Sequence, residues 1–216
     1  MLAMAVAEGH ACMALSFDYG QRHRVELACA VDVAASCGVK HRVIQIDAAA
    51  LHGSSLTGGA DVEHGRSDGQ IETGIPDTYV PARNLVFLSM ALAMAETAGA
   101  RHVYIGANAV DYSGYPDCRR AFLDSFEATA NVATRAGVQG EGFRIHAPLL
   151  DMSKGEIIRC GLERGVDFSL TSSCYDPGSD GEPCGDCDSC ILRARGFAQA
   201  GVADPRVSRA SSGSTA

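Results

Sequence analysis

ACMALSF (residues 11–17), RHRVELACAVDVAAS (22–36) and HRVIQID (41–47) follow one another with only short gaps between them. The first is an apolar run of strand length. The second reads as an amphipathic helix stopped by Gly38, and the third is a β-branched, alternating strand. The same alternation continues downstream: a helix over Ala82–Ala98, a short strand over His102–Ile105, a helix over Asp117–Ala136 and a strand over Phe143–Ala147. Ser153 and Glu156 form an S-x-x-E capping box that opens a helix to Arg164, and Ile191–Ala200 reads as a last helix. Strands alternating with helices imply an α/β fold, a parallel sheet with helices on both faces. In such sheets ligands bind beyond the carboxyl ends of the strands.

The intervening stretch Ser54–Asp77 is rich in Gly, Ser, Thr and Asp without sustained periodicity, and is read as a mobile surface loop, a candidate lid. Division of the chain follows: residues 1–165 as the α/β unit, 166–205 as a cysteine-bearing region with the last helix, and 206–216 as a polar, frayed tail.

Composition narrows the class. The net charge of −8 and pI near 5.3 come without a basic stripe, which argues against nucleic acid as a partner. The start has no basic n-region of a secretory signal, and the apolar-rich run Leu85–Ala95 is too short to span a bilayer. A cytoplasmic enzyme acting on small molecules is the expectation, with no membrane partner. Nine cysteines, an odd number, argue against a disulfide framework.

Four of those cysteines, Cys174, Cys184, Cys187 and Cys190, are spaced C-x9-C-x2-C-x2-C. Four thiolates close a tetrahedral shell around Zn²⁺ with no open position, and Gly185, Asp186, Asp188 and Ser189 are small turn-formers between them. The expectation is one structural Zn²⁺ per chain in a small C-terminal zinc-knuckle region. Two disulfides or four unrelated buried thiols are the alternatives.

The segments after the strands are the remaining candidates. Asp18–His23 reads best as an ordinary strand-to-helix loop, although Gly20, Tyr19, Arg22 and His23 offer a turn, a ring and donors. Tyr79–Asn84 leads into a helix start, where unpaired N–H groups attract anions and Arg83 and Asn84 add a fork and an amide. Gly106–Arg119 concentrates Asn108, Asp111, Tyr112, Asp117 and Arg119, groups suited to gripping a flat polar heterocycle; an Asx-turn cluster with Asp117 capping the next helix is the bland alternative. Lys154, in a first helical turn, could reach phosphate as a point charge or could be an ordinary surface residue. The histidines show no metal-ligand spacing.

SFDYGQRH (16–23), VPARN (80–84), GANAVDYSGYPDCR (106–119), PLLDMSKGEII (148–158) and CYDP…CGDCDSC (174–190), in this order, resemble the 7-cyano-7-deazaguanine synthase family of queuosine (preQ0) biosynthesis. The resemblance runs from Ala11 to about Pro205. It implies an adenine-nucleotide α-hydrolase-like fold, a zinc site and an ATP-dependent C–N ligase that turns 7-carboxy-7-deazaguanine and ammonia into the nitrile, with Mg²⁺ accompanying ATP. It further implies that Asn108, Asp111, Tyr112, Asp117 and Arg119 hold the heterocycle, that Phe17, Arg83 and Asn84 lie at the nucleotide, and that Lys154 is the catalytic cation near its phosphates.

The family's S-G-G-x-D-S phosphate loop does not occur in this sequence, which opens at MLAMA. The expectation is therefore a start set too far downstream, or an impaired copy. As written, the chain is expected to turn over ATP poorly. The alternative function is a zinc-stabilised, catalytically impaired deazapurine-binding homologue. A tRNA-thiolating relative is disfavoured by the acidic balance. The oligomeric state stays open, a homodimer included.

Overall fold

The computed structural model describes residues 1–71, 74–108 and 114–206. Strands form where the apolar and β-branched runs predict them: β1 (Met13–Asp18), β2 (Lys40–Gln45), β3 (His102–Tyr104) and β4 (Arg144–His146). The helices in chain order are α1 (Leu2–Ala7), α2 (Val25–Ser36), α3 (Asp68–Ile71), α4 (Arg83–Ala98), α5 (Arg120–Ala133), α6 (Arg135–Val138), α7 (Lys154–Glu163) and α8 (Asp188–Ala200). The part of the expected tail over residues 207–216 lies outside the described residues. Among the described residues no helix is long and apolar enough to cross a membrane.

β1 pairs with β2 in parallel, Met13 opposite Lys40 through Asp18 opposite Gln45, with α2 as the crossover. β3 pairs in parallel with β4, His102 opposite Arg144. Parallel pairing is as expected, but one continuous sheet is not found: among the described residues the strands pair two by two, and β1 shares no ladder with β3. A parallel ribbon of two strands lacks the neighbours that bury both its faces. Met13 and Val43 are accordingly 39% and 41% exposed. Helix α1 lies alongside β3, where Glu8 accepts a hydrogen bond from the Tyr104 hydroxyl at 2.7 Å.

Helix α4 is built from Leu, Ala and Met, strong helix formers, and stops at Gly99, whose positive φ of 72° lets the following Ala100 N–H reach back to the Ala95 carbonyl at 2.8 Å. Its start is less regular. Ala82 precedes it at φ 56°, in the left-handed region, and offers no side-chain cap. Helix α7 opens with the expected capping box, Ser153 and Glu156 each bonding the other's backbone N–H.

The single helix expected over Asp117–Ala136 is divided. Pro116–Cys118 is a 3-10 turn, and Thr134 leaves helical geometry between α5 and α6, its hydroxyl accepting from the Gly137 N–H at 3.1 Å. Nor does Asp117 cap α5; the residue at that position is Arg119, and the Asp117 carboxylate points elsewhere.

Two cores result. Leu88, Val103, Leu123, Phe126 and Phe143 bury α4 and α5 against β3 and β4. A second core joins Tyr19, Leu51, Leu56, Val62 and Val80 to Cys174, Cys187 and Cys190, so the cysteine region and the first half of the chain share one apolar interior.

Candidate metal centre and strand-end site

The four cysteine sulfurs all lie within 4.8 Å of one another. Cys174 Sγ is 3.5 Å from Cys184 Sγ, which is 3.9 Å from Cys190 Sγ. A tetrahedral Zn²⁺ with sulfur ligands at about 2.3 Å sets its sulfurs roughly 3.8 Å apart. The arrangement therefore fits a zinc ion with little movement. Cys174, Cys187 and Cys190 are buried and Cys184 faces solvent. The thiols of Cys174 and Cys190 hydrogen-bond to Cys187 and pull its acidity strongly towards the thiolate. Cys174 itself is pushed up to about 12, chiefly by its bond to Cys187. A soft dication would be held by all four sulfurs as thiolates.

The segment Ser54–Asp77, expected to be a mobile loop, is instead folded onto this knuckle. Ser55–Thr57 is a 3-10 turn with its own capping box, and Ser54, Ser55 and Leu56 are buried. His64 pairs with Cys187 as an antiparallel bridge, and the Gly65 N–H donates to the Asp186 carbonyl at 2.9 Å. His64 Nδ1 lies 2.7 Å from Asp186, and Arg66 Nη1 donates to Asp188 Oδ2 at 2.8 Å. The hydrogen bond to Asp186 raises the affinity of His64 for its proton. His64, Cys184 and Asp186 also form a second group of close metal-capable atoms. Local composition hid this docking, because the contacts with the knuckle are made with residues more than a hundred positions away.

At the strand ends, Asn84 and Asp117 meet. The Asn84 N–H donates to Asp117 Oδ2 at 2.9 Å, and its side-chain amide donates to the Asp117 carbonyl and the Cys118 sulfur, both at 3.2 Å. Burial first, and then the Asp117 charge, push the Cys118 thiol up to about 11, so it stays a neutral filler. The amide of Asn108 donates to the Leu149 and Met152 carbonyls at 3.0 and 2.5 Å and accepts from Lys154 Nζ at 3.3 Å. The ends of β3 and β4 are thereby joined. Phe17 stacks on Phe87 with ring centres 4.0 Å apart, and the Arg83 guanidinium lies 5.9 Å from the same ring while donating to the Tyr19 hydroxyl at 3.4 Å. Arg119 is exposed at the start of α5. Asp111 and Tyr112 lie outside the described residues.

The loop after β1, read from sequence as ordinary, is tightly built. Gln21 is 1% exposed; its carbonyl accepts from the Tyr19 N–H, and its amide donates to the Phe17 carbonyl and to Glu26. His23 is buried against Tyr175 and is held towards its neutral form by that burial. Thr78 and Tyr115 share a hydroxyl hydrogen bond of 2.8 Å across 37 residues. A Gln between a Gly turn and a helix start was the one local signal that this loop is fixed.

The family profile described as queuosine biosynthesis protein QueC matches residues 1–201. A protein of Paramagnetospirillum magneticum named 7-cyano-7-deazaguanine synthase is 56% identical over 206 residues, 95% of this chain and 91% of that protein. Its namesake in Azotobacter vinelandii is 58% identical over 204 residues, 94% of this chain and 89% of that protein. One in Pseudomonas fluorescens is 56% identical over 207 residues, covering 95% and 90%. Identity at this level over nearly the whole length, together with a cysteine centre shaped for a metal, places the chain in the queuosine biosynthesis protein QueC family.

Proposed function

We propose that the chain is a 7-cyano-7-deazaguanine synthase, an ATP-dependent ligase that converts 7-carboxy-7-deazaguanine and ammonia to the nitrile. The observation that carries this reading is the 56–58% identity to proteins of that name along nearly the whole chain. A carboxylate resists attack by ammonia until ATP makes its oxygen a leaving group. The resulting amide is activated a second time and loses its oxygen to become the nitrile. Positioning and charge neutralisation do most of such a reaction.

Asn108, Asp111, Tyr112, Asp117 and Arg119 hold the heterocycle in this reading. Phe17, Arg83 and Asn84 line the nucleotide side, and Lys154 is the cation for its phosphates. Support comes from the convergence of Asn108 with Lys154, and of Asn84 with Asp117, at the strand ends. Magnesium belongs to the ATP, riding on phosphate oxygens. The zinc centre is structural: four thiolates leave no position open for substrate.

The test is direct. Zinc-loaded protein is incubated with 7-carboxy-7-deazaguanine, ammonium chloride and ATP with magnesium, and the products are resolved by mass. Nitrile formation with slow ATP consumption is the expected result. Thermal stabilisation by the heterocycle without any ATP consumption would instead support the binding-homologue reading.

A further inference from the structure

Between the 54–77 segment and the start of α8 lies a cavity of about 10 Å³, room for a single water-sized occupant. Ser55 and Asp188 both line it, and both carry a buried oxygen, Ser55 Oγ and Asp188 Oδ1, with no hydrogen-bond partner in the protein. Ser55 is 2% exposed and Asp188 9%. Buried acceptors are rarely left unpaired, and two lining one small space call for an occupant that donates in two directions. The charges around it have a sign. Glu63, Asp77 and Asp188 contribute three carboxylates against the single guanidinium of Arg66, which is shared between Asp188 Oδ2 at 2.8 Å and the largely exposed Glu63 at 3.2 Å. The occupant favoured is therefore small, cationic and rich in N–H donors.

We propose that this cavity binds ammonium and is the nitrogen-donor subsite of the enzyme, the ion releasing one proton to water and leaving as ammonia, the species whose lone pair attacks the activated carboxylate. The proposal rests on the nitrile-forming reading above, in which nitrogen enters as ammonia. Ammonium has the size of water, four donors and the required charge. The position suits supply of nitrogen to the strand-end loops. Thr78, a lining residue, shares its hydroxyl hydrogen bond with Tyr115, which sits at the end of the 106–119 segment. Tyr175, one residue past Cys174, lines the same cavity as Thr78.

Rubidium, an ion of ammonium's size with an anomalous X-ray signal, tests the site without turnover. Crystals of the zinc-loaded protein in rubidium chloride should show an anomalous peak between Ser55 and Asp188 that fades as ammonium chloride replaces it. Absence of the peak, or a peak indifferent to ammonium, overturns the proposal. Ser55→Ala provides the kinetic test. Ser55 Oγ makes no bond within the protein, so this variant should fold and melt at or above the wild-type temperature. Its KM for ammonium should rise roughly tenfold, the effect of one lost hydrogen bond to a charged ligand, while its KM for the carboxylic acid stays put. Normal turnover with an unchanged ammonium KM overturns the subsite and leaves the reaction standing. Ammonium-displaceable rubidium in a protein that forms no nitrile overturns the reaction and leaves the cation site standing.

Discussion

The backbone N–H of Asn84 is capped by the carboxylate of Asp117, 2.9 Å away and 33 residues further along the chain. Helix α4 has no side-chain cap of its own, so a residue of another loop supplies one. The pair fixes the start of helix α4 to the loop that carries Asp117. Asp117→Ala should therefore destabilise the ligand-free protein by about 2 kcal/mol, lowering Tm by roughly 4–8 °C for a chain of this size. Asp117→Asn keeps the acceptor and should recover most of the loss. A ligand-free melt of the alanine variant identical to wild type would remove the structural role and leave substrate contact as the sole one.

Ala82 holds φ at 56°, a conformation that costs a side-chain-bearing residue about 1–2 kcal/mol. Glycine adopts it freely but loses more chain entropy on folding. Ala82→Gly is expected to gain a net 0.5–1 kcal/mol, about 2 °C in Tm. Chemical denaturation would measure it, and a loss of stability would mean the turn is relaxed as it stands.

Native mass spectrometry should find one zinc per chain, and Cys187→Ser should lose it. Because the 54–77 segment is bonded to the knuckle through His64, Gly65 and Arg66, metal removal should expose that segment first. Limited proteolysis after chelation should cut within it before cutting elsewhere. Equal protection with and without zinc would separate the segment's order from the metal.

Arg193 grips Asp204 with two hydrogen bonds, 2.6 and 2.9 Å, and uses its remaining reach on Thr171 and Phe168. Burial opposes the charge of Asp204, but the Arg193 fork and the Arg206 N–H outweigh it and hold the carboxyl below its usual range. A carboxyl depressed on folding stabilises the protein at pH values above the unfolded pKa, near 3.9. That stability drains away as pH falls from there through the folded value. Asp204→Ala should cost about 3 kcal/mol at neutral pH, since it strands a buried guanidinium. Asp204→Asn should flatten the acid limb of the stability profile below pH 4. An unchanged acid limb would sink the assignment.

The strands, α4, the α7 capping box and the cysteine spacing were all legible in the sequence, because each is written in neighbouring residues. Short-range pattern also located the strand-end loops. What it missed is long-range. Thr134 breaks the expected helix by taking its own hydroxyl to Gly137, a choice that helix periodicity does not record. The division of the strands into two pairs depends on ladders that no single run encodes. The docking of 54–77 was invisible because its composition is that of a loop, and its partners on the knuckle lie beyond residue 170. Asp117 illustrates the general case: its residue type suggested a helix cap, and it is one, for a helix that precedes it.

The bridge between His64 and Cys187 also sets an order in time. The second core is shared by residues near 19, 51–62 and 80 and by Cys174, Cys187 and Cys190. A ribosome delivering this chain from its N-terminus has made most of the α/β framework before the knuckle exists. That interior cannot be completed until the last cysteine emerges, because synthesis at about 5–20 residues per second is far slower than the closing of a loop. Until then Tyr19, Leu56 and Val80 lack the part of their cover that Cys174, Cys187 and Cys190 supply. Emergence of the knuckle is the event that completes the cover over the first half of the protein.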